Sequence, residues 1–223
     1  RRPPGLAGNF LFATLEGLVS DLDRVVVFID YQNIHGWARR CFHPIGVSPA
    51  AGHVDPLRLG QHLTARRHRP SQLQEVRVYR GRPSPTHQPT TAAANDRQTV
   101  AWQRSGTVTV IRRPLRYPHD WPTSPATEKG IDVALAIDLV RLAMQKAYDA
   151  AVLVSADTDL MPAVETVFDL RLAHIELAAW SGMRRLRFPR TQLPWCHFID
   201  EATYRTLQDP TDYTDLDRSN RRS

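Results

Sequence analysis

The sequence predicts an α/β protein in which a mainly parallel central sheet lies between two layers of helices. Short runs of β-branched and other apolar residues, typical of buried strands, alternate along the chain with segments of helical periodicity. Strands that alternate with helices at this spacing indicate a doubly wound sheet. The 223 residues, 42% of them hydrophobic, are enough for one sizeable core, which excludes a disordered or fibrous chain. We therefore expect a three-layer α/β/α architecture.

The first half of the chain contains three predicted strands. Arg24 to Asp30 (RVVVFID) is the first, and it ends in a carboxylate. Asp55 followed by Pro56 is typical of a helix N-cap with proline in the first turn, which predicts a helix through Leu59 and Leu63 to the basic run 66–69. The next predicted elements are a strand at 75–79, a helix at 91–104 and a strand at 106–111.

The second half of the chain contains the remaining predicted helices and strands. Residues 131–147 have almost no polar face in their first half, which predicts a helix buried between the sheet and its neighbours. The elements that follow are a strand at 150–155, a helix at 159–170, a strand at 174–179, an edge strand at 196–199 and a short helix from Asp200. Residues 1–23 are interpreted as a helical extension, 24–207 as the domain, and 208–223 as a flexible polar tail.

Acidic and polar residues follow the predicted strands at the edge where doubly wound sheets bind ligands. The candidates are Asp30, Asn33, Glu128, Asp132, Ser155, Asp157 and Asp159. Carboxylates that converge in one crevice repel one another, and a divalent cation would relieve that repulsion. Oxygen ligands without histidine or cysteine favour Mg²⁺ or Mn²⁺ over zinc. Such a crevice suits phosphodiester hydrolysis, in which a metal activates a bound water.

Each acidic residue also has a structural explanation. Asp30 could end a strand in a turn, Asp132 could favour the helix dipole, and Asp159 could cap a helix while Asp157 makes an Asx-turn. Glu128 could face the metals or pair with an arginine. Asp138 lies about 240° round the helix from Asp132, so we predict a separate buried partner for it, such as an arginine or a backbone group. The combination of carboxylates favours the metal site.

The charge of the chain is consistent with an anionic partner. The net charge is +6 with a pI near 9.8, and only two lysines occur, so that 27 of the 29 basic residues are arginine. The candidates for RNA binding are Arg39, Arg40, Arg80, Arg82, Arg112, Arg113 and Arg116, and the basic run 66–69 is a further one. Trp37, Tyr79, Tyr117 and Trp121 are candidate platforms for base stacking.

Three segments also resemble a known family. VVVFIDYQNI at 25–34, EKGIDVALAIDLV at 128–140 and VLVSADTDLMPAV at 152–164 are similar to the signature segments of NYN domains, which belong to the PIN-like nuclease superfamily. The last segment is also similar to the acidic motif of flap endonucleases. The chain departs from the NYN pattern at Tyr31-Gln32, Ala156, Thr158 and Leu160, and none of these departures removes a carboxylate.

The resemblance covers about residues 24 to 180 and implies a PIN-like fold that cleaves RNA with Mg²⁺ or Mn²⁺. It implies that Asp30, Asp132, Asp157 and Asp159 are metal ligands or water positioners. Asn33 would orient Asp30 or contact a phosphate, and Ser155 would support the ligands.

The sequence therefore predicts a metal-dependent ribonuclease, of endonuclease type, acting on single-stranded or structured RNA. A homo-oligomer is an open alternative to a monomer. No apolar run reaches the roughly 18 residues of a membrane span, and Cys41 and Cys196 cannot form a disulfide framework, so we expect a cytoplasmic protein.

Two other functions stay open. A non-catalytic RNA-binding or protein-interaction module could keep the same fold, although such a module gains nothing from four aspartates. An aspartyl-phosphate phosphatase normally has a second acid two residues after the first, where this chain has Gln32.

Overall fold

The computed structural model describes residues 22–48, 51–183, 186 and 194–214. The predicted N-terminal extension lies almost wholly outside the described residues, as does the tail from residue 215. In residues 208–214, the Tyr213 side chain is buried and the Tyr213 carbonyl accepts a hydrogen bond from Arg97 Nε at 2.7 Å. No helix in the described part of the chain is long and apolar enough to cross a membrane.

The sheet has six parallel strands in the order β3-β2-β1-β4-β5-β6. The strands are β1 (Asp23–Asp30), β2 (Ser71–Arg82), β3 (Val108–Pro114), β4 (Ala150–Val154), β5 (His174–Trp180) and β6 (Cys196–Ile199). The central strand β1 pairs with β2 on one side and with β4 on the other, and Ile29 lies opposite Val154. The carboxyl ends of β1 and β4 are therefore neighbours.

Helices cover both faces of the sheet, which confirms the predicted three-layer α/β/α fold. They are α1 (Tyr31–Phe42), α2 (Pro56–Ala65), α3 (Pro89–Gln103), α4 (Ile131–Met144), α5 (Met161–Asp169) and α6 (Glu201–Leu207), with a 3₁₀ turn at Thr158–Leu160. Buried residues of α1, α2, α3 and α6 form one core with β1, and those of α4 and α5 form a second core on the opposite face. The predicted cap is present, because Asp55 accepts from Arg58 N at 3.1 Å.

Two helices differ from the sequence prediction. Helix α1 was not among the elements predicted from the sequence, because it contains Gly36 and several aromatic residues and so has weak helix propensity. Its buried Tyr31, Ile34 and Ala38 follow helical spacing and were the available signal. The prediction that 131–147 is buried between the sheet and its neighbours is wrong for its outer face, because Val133 and Ile137 of α4 are more than half exposed.

Candidate active site

Asp30 lies at the carboxyl end of β1 and is held there by the end of β4. Asp30 is 8% exposed, and its carboxylate accepts a hydrogen bond from Ser155 Oγ at 2.8 Å. The Ser155 hydroxyl in turn accepts from Asp157 N at 3.0 Å. Asn33 adds a second connection, since its Oδ1 accepts from Ala156 N at 3.1 Å. Ser155 thus contacts Asp30 directly, whereas the Asn33 side chain contacts the backbone that follows β4, and the roles expected for both residues stay predictions.

The charge on Asp30 is unfavourable in the folded protein. Burial raises its pKa to about 6, although hydrogen bonds from Ser155 and Asn33 oppose the rise, and the negative charges of Glu128 and Asp157 add to it. Within the described part of the chain, no cation forms an ion pair with Asp30. Glu128 and Asp157 therefore each lie near enough to repel the charge of Asp30.

Asp157 and Asp159 follow β4 in the order that the sequence predicted. Asp157 caps the 3₁₀ turn and its Oδ1 accepts from Asp159 N at 3.0 Å, so the Asx-turn proposed as a structural role is present. Asp157 is partly buried and Asp159 is exposed. Asp159 does not cap α5. A local hydrogen bond to one oxygen of Asp157 leaves its second oxygen available to a ligand.

Glu128 lies outside α4, because that helix begins at Ile131 and the preceding residue Thr127 pairs with Arg116 in an isolated antiparallel bridge. Its Oε1 accepts from Gly81 N, the two atoms being 2.5 Å apart. A Cβ at Gly81 would lie 2.8 Å from that oxygen, so glycine is needed for the approach. Burial raises the pKa of Glu128, the Gly81 N–H and the charge of Arg80 oppose the rise, and Asp132 adds to it.

The site suits a cation that keeps several water ligands better than a cation that is coordinated wholly by protein side chains. Over the ranges that the structure describes, no three His, Cys, Asp or Glu side chains lie close enough to hold one metal ion. Mg²⁺ is usually bound through one or two carboxylates, several waters and the phosphates of the substrate. Asp30 and Asp157, with oxygen donors only, fit that requirement. The assignment of all four aspartates as metal ligands stays a prediction.

Asp138 has the separate partner that its position on α4 predicted. It accepts from Arg77 at 2.9 Å, from Arg141 at 2.8 Å and from Tyr79 Oη at 2.9 Å. Burial acts to raise the pKa of Asp138, but these hydrogen bonds lower it. The suggestion that Tyr79 is a stacking platform is wrong, because its ring is fully buried between the sheet and α4.

The candidate arginines fall into two groups. Arg82 and Arg112 both pair with Asp96, and Arg39 donates to the Val47 carbonyl at 2.9 Å. Arg40, Arg113 and Arg116 are exposed. The run 66–69 is a poor RNA-binding candidate, because it precedes β2 at the opposite end of the sheet and the Arg67 side chain is wholly buried.

Arg80 is the basic residue that the structure sets apart. Its guanidinium lies 4.9 Å from the centre of the Tyr31 ring and 5.4 Å from that of Trp102. It donates to Gln98 Oε1 at 2.5 Å. Arg80 was a candidate from the sequence, whereas Gln98 was not, since one glutamine on a helix belongs to no motif.

Comparison with known proteins shows the family of the chain. The family model of the NYN domain matches residues 24–183. The chain belongs to the NYN domain family. NYN domains are part of the PIN-like nuclease superfamily, and the members are generally nucleases that typically use divalent metals.

A solved structure gives a more distant comparison. The chain is similar to a protein of unknown function from Vibrio parahaemolyticus RIMD 2210633, with 16% sequence identity and a TM-score of 0.47 over 71% of this chain and 82% of the other. No curated protein matches the chain.

Proposed function

We propose that the protein is a Mg²⁺- or Mn²⁺-dependent ribonuclease whose active centre lies at the carboxyl ends of β1 and β4. The buried Asp30 carboxylate is the main support: it is hydrogen-bonded to Ser155, lies near Asp157 and Glu128, and has no cation partner among the described residues. A carboxylate placed this way is costly without a ligand and useful with a cation. Membership of the NYN family supports RNA as the substrate.

The residues of the site have distinct tasks. Asp30 and Asp157 would hold the cation, and Asp132 and Asp159 would act on its water ligands. A bound divalent cation would supply an activated water and neutralise charge on the leaving oxygen. Ser155 holds Asp30 with its proton and Asp157 N with its lone pair, so that one hydroxyl fixes both strand ends.

The RNA strand needs positive charge beside this crevice. Arg113 lies near the carboxyl end of β3, and Arg116 follows that strand. Both are exposed and lie on the same edge of the sheet as Asp30. Exposed arginines of this kind bind phosphates without reading sequence. They are the proposed contacts to the RNA backbone.

The proposal is tested by cleavage of RNA with purified protein in Mn²⁺ and in Mg²⁺. Asp157→Asn is expected to lose cleavage of single-stranded and structured RNA while its circular dichroism melt stays cooperative. Asp169→Asn is the matched control, because Asp169 is an exposed aspartate at the end of α5. It is expected to cleave like the unmodified protein.

The opposite result is equally clear. If the unmodified protein retards RNA on a gel but leaves every substrate intact in both metals, the non-catalytic RNA-binding module is the correct function. If neither binding nor cleavage occurs, RNA is not the ligand.

A further inference from the structure

A cavity of about 370 Å³ lies beside the candidate active site, between the carboxyl end of β2, helix α3 and residues 211–214. Its walls include Arg80, Gln98, Glu128 and Tyr213. Glu128 therefore lines the cavity, and it is also one of the carboxylates that repel the charge of Asp30 at the candidate active site. The volume is within the range of cavities that bind small organic ligands.

One wall of the cavity presents a fixed cation. Arg80 is stacked against Tyr31 and Trp102, and no carboxylate of the described residues lies within ion-pair distance of it. Burial lowers its pKa, opposed by the charge of Glu128. A guanidinium that is stacked but not neutralised can still donate to the acceptor groups of a ligand.

Gln98 presents an unused donor at the same wall. Arg80 can only donate hydrogen bonds, so the oxygen of the Gln98 amide must face it, and the Nε2 group then faces elsewhere. Gln98 is 3% exposed, and its Nε2 has no hydrogen-bond partner among the residues that the structure describes. A buried donor without a partner is unfavourable and marks a place where a ligand can supply the acceptor.

The neighbouring Asn95 shows that an unpaired amide donor is not a general property of α3. Its Oδ1 accepts from Arg112 at 3.1 Å and its Nδ2 donates to the Gly81 carbonyl at 3.3 Å. The amide of Asn95 is satisfied by the protein, whereas the amide of Gln98, one helical turn further on, is satisfied only in part. Of these two amides, only that of Gln98, a residue of the cavity wall, keeps a donor without a partner among the described residues.

We propose that this cavity binds one nucleobase of the RNA substrate and prefers guanine. The inference rests on the proposed ribonuclease function, since RNA supplies the base. Guanine has two acceptors, O6 and N7, for Arg80 and Gln98, and it has N1–H and N2–H donors for Glu128. Tyr213 is held by its hydroxyl on Asp209 at 2.8 Å and adds an aromatic surface of the kind on which bases stack.

Other ligands match the walls less well. Adenine has an amino group where guanine has O6, so a donor of the base would face the donors of the protein. A phosphate would meet Arg80 favourably, but it would also approach the carboxylates of Glu128 and Asp212. Guanine is the base whose donors and acceptors match both walls.

The test measures binding without cleavage. Fluorescein-labelled uridine decamers with one central guanosine, inosine, adenosine or uridine are titrated with the full chain in EDTA, and anisotropy gives each Kd. The guanosine decamer is expected to bind about tenfold more tightly than the uridine decamer, with inosine between them because it lacks the 2-amino group. Equal affinities for all four decamers would overturn the proposal.

A pair of variants locates the preference in the cavity. Gln98→Leu is expected to remove the guanosine preference, whereas Gln72→Leu, an exposed residue at the amino end of β2, is expected to keep it. A preference retained in folded Gln98→Leu contradicts the assignment. If Gln98→Leu does not fold, the decamer series on the unmodified protein decides.

Two further outcomes separate related explanations. If guanosine 5′-monophosphate displaces the decamer at a concentration close to the decamer's Kd, the cavity serves a free nucleotide and the RNA assignment is wrong; weak displacement supports the RNA base. Base preference is measured in EDTA and cleavage separately in Mg²⁺ and Mn²⁺, so a protein that prefers guanosine in EDTA but cleaves RNA in neither metal supports the cavity and overturns the ribonuclease function instead.

Discussion

The two ends of the central sheet differ in how their buried charged side chains are paired. At the amino end, the buried Arg67 pairs with Glu176 at 2.9 Å and with Asp23 at 3.1 Å, and Glu176 also contacts His197 at 2.6 Å. At the carboxyl end, Asp30 has no ion-pair partner and Arg80 has no carboxylate within reach, among the residues that the structure describes. The buried charges at the amino end are neutralised by the protein. At the carboxyl end Arg82 and Arg112 pair with Asp96, but Asp30 and Arg80 are left for a ligand.

The pKa values of two buried acids show the same difference. Burial acts to raise the pKa of Glu176, but hydrogen bonds from His174, His197 and Arg67 lower it well below its usual range. For Asp30, burial is the larger effect and the pKa rises to about 6. A lowered carboxylate pKa stabilises the fold at neutral pH, whereas a raised one destabilises it. The buried charge of Asp30 therefore destabilises the fold at the carboxyl end, where the proposed chemistry occurs.

The largest expected effect on stability comes from breaking the amino end. Arg67→Met leaves Glu176 and Asp23 without their buried cation, and we expect a loss of about 3–5 kcal/mol in the free energy of unfolding. Arg69→Met is the matched control, because Arg69 is exposed and also contacts Asp23, at 3.3 Å. Its expected loss is below about 1 kcal/mol. Urea denaturation measures both, and equal losses would mean that the buried network contributes little.

Breaking the carboxyl end should have the opposite effect on stability. Asp30→Asn keeps the helix cap, since asparagine caps helices as well as aspartate does, and removes the buried charge. We expect cleavage to fall at least about 100-fold, since groups that merely orient metal ligands are worth 10–100-fold. The metal-free variant should unfold at higher urea, by about 1–3 kcal/mol at pH 7.

The pH dependence of the stability gained in Asp30→Asn is a stricter test of whether the buried charge is the cause. In the folded protein Asp30 titrates at about 6, above its ordinary value of 3.8, so protonation favours the folded state. The stability difference between Asp30→Asn and the unmodified protein should therefore grow as pH rises from about 4 to 6 and stay constant above 7. A difference that is independent of pH would mean that the charge of Asp30 is not the cause. The measurement is made in EDTA.

The smallest expected effect compares paired and unpaired arginines at the carboxyl end. Arg113 is exposed and has no ion pair with a described residue, whereas Arg82 pairs with Asp96 at 3.0 Å. Arg113→Gln is expected to weaken RNA binding and to reduce the slope of log K against log salt by about 1. Arg82→Gln should change the slope less, because Asp96 already balances part of its charge. Titrations at several salt concentrations measure both slopes, and equal slopes would remove the distinction.

Some of the candidate site was evident from local sequence. Asp30 and Asp157 each follow a run of buried apolar residues, and in a parallel sheet such positions fall on the ligand-binding edge. The positions of Glu128 and Gln98 were not evident. Glu128 lies outside α4, and its carboxylate accepts a hydrogen bond from Gly81 N, 47 residues away.

The sequence by itself determined the strands, most of the helices and the acidic residues at the strand ends, because hydrophobic periodicity and helix caps act between neighbours in the chain. Only the tertiary structure decided which charges are neutralised. Arg67 and Glu176 are 109 residues apart, and Ser155 and Asp30 are 125 apart. No local pattern specifies such pairs, since they form only when the sheet brings its strand ends together. The unpaired donor of Gln98 is a result of the same packing.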